Sequence, residues 1–201
     1  GISIRGRTPH GRHSMKKIRL DPGPFVLPMP AVLIGATVNK VPNFMPVAFI
    51  GIVNFKPVVV ACGLSPTHHT SSGISSNRTF SINLPGAELV EATDWCGLHS
   101  GKRTDKGRVF ETFAGELEDA PMTRACRLTA ECRLVRTVEF PVDTVYFGEV
   151  VSVHVDEAAL RDGAPDWSRI APLLFTFPDK GYWMLGDHVA EAWSVGKSYR
   201  P

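Results

Sequence analysis

Apolar, β-branched runs of strand length recur along this chain, separated by turn-forming residues. Ala31–Val38 (AVLIGATV), Val47–Val53 and Val58–Leu64 read as buried strands. Asn39–Pro42 and Asn54–Pro57 between them are turn signals. Thr79–Leu84 alternates as a half-buried strand, and Cys126–Val138 and Asp143–Val155 are two longer ones. Leu173–Phe177 adds a short extended piece. Helical signals are brief. Thr70–Ser76 is a turn or two, stopped by Asn77 in a left-handed conformation. Glu88–Trp95, Asp156–Arg161 (capped by Asp156) and His188–Trp193 are short helices, with a loop over Asp162–Ile170. Lys16–Leu20 alternates weakly. Asp21–Pro30 holds four prolines and can only be extended. Short sequential strands without βαβ alternation predict a mainly β fold, a β-barrel or sandwich with a few short helices.

Composition narrows this further. With 201 residues, 43% hydrophobic and 21% charged, the chain can bury a core. A single domain is expected over 15–201. Residues 1–14 carry three arginines, two histidines and no acid, and read as a tag or an N-terminal arm. Without them the formal charge of +2 becomes −1, so no basic patch points to nucleic acid. No apolar run approaches the ~20 residues of a membrane span. No secretory signal opens the chain, and Cys62, Cys96, Cys126 and Cys132 form no CxxC, so a reduced, cytoplasmic setting is expected.

Three polar segments are candidates for chemistry. Asn43–Ala48, stiffened by Pro42 and Pro46, reads as a rigid loop offering backbone amides beside an apolar strand. Ser65–Ser72 (SPTHHTSS) leaves a buried strand and enters a helix, so its amides, hydroxyls and imidazoles suit an anion; on composition alone an ordinary N-cap cluster is the commoner explanation. Ser100–Lys106 places two lysines and an arginine among glycine and hydroxyls. Metal binding is disfavoured: adjacent His68 and His69 point apart, and Cys96 and His99 supply one further pair only. Cys62 lies inside an apolar strand and reads as core. No GxGxxG, P-loop or GxSxG pattern occurs.

The order of several segments resembles the flavin reductase-like, FMN-binding split-barrel family, in its flavoredoxin-like branch. Pro28-Met29-Pro30 precedes the first strand. Asn43-Phe44-Met45-Pro46-Val47-Ala48-Phe49, Pro57–Val60, His68-His69-Thr70 and Phe80–Pro85 follow. Thr93–Gly97 with Ser100-Gly101 and Asp105-Lys106, then Glu131-Cys132, Phe147–Val150 and Tyr182–Gly186, complete the series. The resemblance implies a six-stranded antiparallel split barrel that dimerises, with FMN near the subunit interface. Asn43, Phe44, Met45, Pro46, Val47 and Ala48 would line the ring and ribityl chain. Ser65, His68, His69 and Thr70 would approach the phosphate. Ser100, Gly101, Asp105 and Lys106 would come from the loop that closes on the phosphate or the ring, from the same subunit or in trans. A histidine stands at 68 where many relatives carry Arg or Lys. Tyr182 and Trp183 either cover the flavin or make core or dimer contacts. The implied activity is NAD(P)H-dependent reduction of flavin or another small-molecule or protein acceptor. The cofactor carries the chemistry, so no side-chain acid or base is named. An electron carrier fed by a separate reductase and a non-catalytic FMN- or haem-binding module remain alternatives.

Overall fold

The computed structural model describes residues 16–200; the predicted tag or arm at 1–14 lies outside them. Seven strands form one sheet: β1 (Val32–Val38), β2 (Val41–Val47), β3 (Ile50–Phe55), β4 (Val58–Leu64), β5 (Thr79–Leu84), β6 (Leu128–Glu139) and β7 (Thr144–Val155). Their order is β2-β1-β5-β6-β7-β4-β3, and every pairing is antiparallel. The two edges, β2 and β3, are consecutive in sequence but not paired with each other, so the barrel does not close. That is a split barrel.

Its interior is filled from all sides. Val32 and Ile34 of β1, Val60 and Cys62 of β4, Phe80 of β5, Cys132 of β6 and Tyr146 of β7 meet in one cluster, with Ile74 plugging it from a helix. Gly148 lets this happen, because a Cβ there would strike the Phe80 ring. Burial pushes the Cys62 thiol up to about 12, which fits a core residue and no nucleophile.

The sheet has one strand more than the resemblance implied, because the segment Asn43–Val47 is itself strand. The strand predicted over Val47–Val53 is in fact two, β2 and β3, with the chain bending at Ala48-Phe49. β2 tolerates Pro42 and Pro46 because it is an edge, paired only with β1.

Helix α1 (His69–Asn77) packs on the barrel. Its left-handed stop is Arg78 (φ 61°), not Asn77, whose side chain instead donates to the Thr37 carbonyl at 2.7 Å. Helix α2 (Val90–Leu98) follows a 3-10 turn over Ala87–Leu89. Three short expectations fail. Glu157–Ala159 is a single 3-10 turn without a side-chain cap from Asp156. The loop predicted over 162–170 contains α3 (Trp167–Ile170), capped by Asp166, which accepts from the Ser168 amide at 3.0 Å. No helix forms over His188–Trp193; a 3-10 turn follows it at Val195–Ser198.

Met29–Pro30, Leu174–Phe175 and Tyr182–Trp183 make a small antiparallel sheet beside the barrel mouth. Among the described residues no helix is long and apolar enough to cross a membrane.

Candidate functional site

Two cavities open side by side where β2, the end of β4 and the start of α1 converge. One is apolar, about 260 Å³, between Met45–Phe49, Gly63–Ser65 and the side chains of Phe175, Phe177 and Tyr182. The other is polar, about 520 Å³, between Asn43, Thr67–Thr70 and Cys96–Arg103 with Lys106. Met45, Pro46 and His68 belong to both, so the two are chambers of one cleft. A wider open groove of about 1110 Å³ lies beyond it, between α1, the β1–β2 turn and residues 112–121, and shares only His69 with the cleft.

The polar chamber is braced by hydrogen bonds between distant segments. Asn43 is buried at the middle of β2, and its side-chain amide donates to the Thr70 hydroxyl at 2.7 Å. That bond fixes the start of α1 against the strand. Before the helix, Ser65–His68 makes a turn in which the His68 amide donates to the Ser65 carbonyl at 3.1 Å. The Ser71 hydroxyl returns to the same carbonyl at 2.8 Å. His68 takes the N-cap position but supplies no side-chain cap. The first-turn amides of α1 therefore have no capping side chain and carry the positive end of the helix dipole.

The third wall is the loop after α2. Gly101 lies so close to Asn43 and His69 that a Cβ would collide with both side chains. Lys106 is 5% exposed. Its ammonium donates to the Cys96 carbonyl at 2.6 Å and to the Phe44 carbonyl at 3.1 Å. Burial pulls its pKa down, with the Cys96 thiol pushing the other way. Lys106 is thus a strut that ties the end of α2 to β2, with one N–H left for anything in the chamber. Lys102 and Arg103 line the same chamber. Burial lowers the pKa of both histidines. For His68, Asp143 opposes the shift while Lys106 and Lys102 add to it; for His69, Lys102 and Lys106 add to it.

The apolar chamber is held differently. Phe175 packs edge-on against Phe177 and Tyr182, with centroids 5.5 and 5.7 Å apart. The Tyr182 hydroxyl donates to Asp94 of α2 at 3.0 Å. Burial and then Asp94 push that hydroxyl up to about 12. Trp183 turns outward, its indole donating to Thr176 at 2.8 Å.

All of the residues predicted for the site line one chamber or the other except two. Phe44 alternates away from Asn43 on the strand and packs into the core against Phe110 at 5.5 Å. Asp105 caps Gly107 and pairs with exposed Arg108 at 3.1 Å. Phe49, Thr67, Leu98, Phe175 and Phe177 line the cleft without having been singled out. Lys102 and Arg103 were visible as a basic run. Thr67 and Phe49 fell within the named segments 65–72 and 43–49, whereas Leu98, Phe175 and Phe177 carried no local signal.

A family model described as "Flavin reductase like domain" matches residues 26–182, more than half of the chain. This chain belongs to the flavin reductase-like family. Among solved structures, this flavin reductase-like chain is similar to a flavoredoxin from Methanosarcina acetivorans. The two are 41% identical, with 91% of this chain and 98% of that one covered and a TM-score of 0.88. It is also similar to the flavoredoxin of Desulfovibrio vulgaris (Miyazaki F), at 31% identity, 90% and 100% coverage and a TM-score of 0.86. An uncharacterized protein of Archaeoglobus fulgidus is 28% identical over 145 residues, covering 71% of this chain and 80% of that protein. The flavin reductase-like members thus share its split barrel as well as its sequence.

Proposed function

We propose that this chain is an FMN-dependent oxidoreductase that takes electrons from NADH or NADPH and passes them to free flavin or another acceptor. The observation that carries the reading is the two-chambered cleft. Its apolar slot suits a flat ring, and its polar neighbour, one shared wall away, suits a phosphate. The residues present fit the cofactor. The uncapped amides of α1, Lys102, Arg103 and the remaining donor of Lys106 offer positive charge where the phosphate would lie. Asn43 and Thr70, locked to each other, would face the ribityl chain. Met45–Phe49 and Phe175 would contact the ring. Its name among relatives supports the same cofactor, since the two flavoredoxins share at least 31% of the sequence.

When bound, FMN supplies a ring that accepts two electrons and releases them singly or in pairs. The chain's own part is to bind and orient it. The apolar slot excludes water from one face, the polar chamber neutralises the phosphate, and Lys106 holds the two walls at a fixed spacing. Among the described residues, the ionisable side chains lining the apolar chamber are His68, whose pKa burial lowers, and Tyr182, whose hydroxyl is pushed up to about 12. We therefore assign no proton-transfer residue.

A second copy is part of this proposal. The apolar chamber borders a trough of about 600 Å³ walled by Phe49, Ile50, Phe140, Pro141 and Val142, apolar surface that a symmetric partner would cover. The similarity to flavoredoxins favours a second reading, an electron carrier reduced by a separate enzyme. Anaerobic stopped-flow mixing of the FMN-loaded protein with NADH or NADPH separates the two. Bleaching of the flavin band within seconds is the expected result. No bleaching over minutes, with rapid bleaching by a chemical reductant, rejects the reductase and leaves the carrier.

A further inference from the structure

Two apolar surfaces of this chain do not meet each other. The first is the segment 184–200, in which every residue is exposed. Val189 and Trp193 are 94% and 95% exposed, and Met184, Leu185, Val195 and Tyr199 are also uncovered. Its backbone turns and its one ion pair, His188 to Glu191 at 3.6 Å, are internal. None of its hydrogen bonds reaches the described residues 16–183. The second surface is the β3–β4 hairpin with the adjoining tip of β6–β7. Ile52, Phe55, Phe140 and Val142 are 64, 77, 60 and 74% exposed there. β3 is also the free edge of the sheet.

We infer that the two surfaces meet in trans: segment 184–200 of one copy lies along the β3 and 140–142 surface of a second copy, and the exchange is reciprocal. The segment leaves the body from a fixed anchor, since Tyr182–Trp183 is paired with Leu174–Phe175 and Trp183 is bonded to Thr176. Beyond that anchor, seventeen residues extend to at most ~55 Å, enough to reach across a second barrel. Full burial of a large apolar side chain is worth about 1.5–3 kcal/mol, and twofold symmetry doubles every such contact. The charges of the segment, Asp187 and Glu191 against Lys197 and Arg200, balance, so the match is one of apolar area and needs no charged partner. A second copy answers both surfaces at once, because each copy offers what the other leaves uncovered. The receiving surface is continuous with the apolar chamber through Phe49 and Gly63, so the exchanged segment would also shield that chamber from the side. The inference rests on the dimer of the proposed function and not on its cofactor.

A photo-crosslinking residue placed at Trp193 of the full chain tests it, with light and isotope-labelled copies mixed and refolded before irradiation. The expected products join a light to a heavy chain within residues 49–58 or 140–142. In parallel, Val189→Ser/Trp193→Ser should raise the dimer dissociation constant about tenfold or more by sedimentation, a shift of ~1.4 kcal/mol, while circular dichroism stays unchanged. Crosslinks confined to one chain, or an unaltered dissociation constant in the double variant, overturn the inference. Flavin absorbance of the same samples keeps the two readings apart. A crosslinked dimer that takes up no added FMN rejects the cofactor and leaves the exchange standing, and an FMN-loaded monomer does the reverse.

Discussion

The two chambers of the cleft are neighbours built by opposite means. In the polar chamber each wall is tied to another by a directional bond: Asn43 to Thr70, Lys106 to Cys96 and Phe44, and Gly101 pressed on Asn43 and His69. In the apolar chamber the walls are side chains in van der Waals contact, and one wall comes from residues 175–182, far along the chain from Met45–Phe49. Its backbone is held by strand pairing with Met29–Pro30, and the Tyr182–Asp94 bond is the side-chain tie from that wall to α2. Directional bonds fix distances; aromatic packing leaves room to re-pack. On the proposed reading, a cleft made this way would hold a phosphate at a set position and let the ring end accept different partners.

That contrast breaks most visibly at Lys106. Replacing it by methionine keeps the volume but leaves the Phe44 and Cys96 carbonyls buried without a donor. Each such orphan costs about 1–3 kcal/mol, so Lys106→Met should lose about 2–6 kcal/mol of stability in a urea titration, whether or not flavin is present. A variant as stable as the parent that merely binds FMN less well would return Lys106 to a phosphate ligand and remove the strut.

Gly101 gives the next effect. Gly101→Val must push the loop away from Asn43 and His69, at an overpacking cost of ~1–3 kcal/mol borne largely by the polar chamber. The expected readout is FMN affinity lowered about tenfold, with riboflavin, which lacks the phosphate, changed much less. Equal losses for both ligands would mean that the loop shapes the ring end too.

The contrast also explains what the sequence disclosed. The polar chamber is assembled from hydroxyls, histidines, a glycine and lysines clustered in short stretches, each of which has its own chemistry. Segments 65–72 and 100–106 could be picked out because such residues cost free energy unless something uses them. The apolar wall could not, since Phe175 and Phe177 look like any strand aromatics until the fold brings them beside Met45. β2 was misread as loop for a physical reason. Pro42 and Pro46 forbid a central strand, and nothing local says that this strand would be an edge. The helix expected over 188–193 fails because six residues of helix are unstable without a surface to pack on, and the described residues offer none. Lys106 lines the polar chamber, and its two main-chain carbonyl partners are invisible in a sequence.

On the apolar side, Tyr182→Phe removes the side-chain bond to α2 and keeps the ring. The Asp94 carboxylate is free to meet water, so the loss should be about 1 kcal/mol or less, seen as ~2–4 °C in Tm. FMN affinity should stay within about threefold, since packing and not the bond shapes this chamber. A tenfold loss would show that both chambers depend on directional bonds, and the contrast would fail.

The smallest effect separates the chambers by pH. Burial, with Lys102 and Lys106, holds His68 and His69 below the ordinary 6.5 in the cofactor-free protein. Between that depressed value and 6.5 the unfolded chain binds more protons than the folded one. The histidines' contribution to stability is therefore complete above about pH 6.5 and is lost as pH falls through the folded value. Both rings are partly exposed, so the contribution is small. Cofactor-free protein should lose slightly more Tm between about pH 7.5 and pH 5.5 than the variant His68→Gln/His69→Gln, by less than the ~2–4 °C that 1 kcal/mol produces in a chain of this size. A bound phosphate reverses the sign, because it favours the protonated rings and raises their pKa. With FMN loaded, the parent should hold its Tm better than the double variant as the pH falls. The apolar chamber contributes nothing to either trend, so the same pair of scans on Tyr182→Phe should match the parent. If the cofactor-free parent and the double variant lose Tm equally, the two imidazoles are fully solvated, and the polar chamber is more open than its bonds imply.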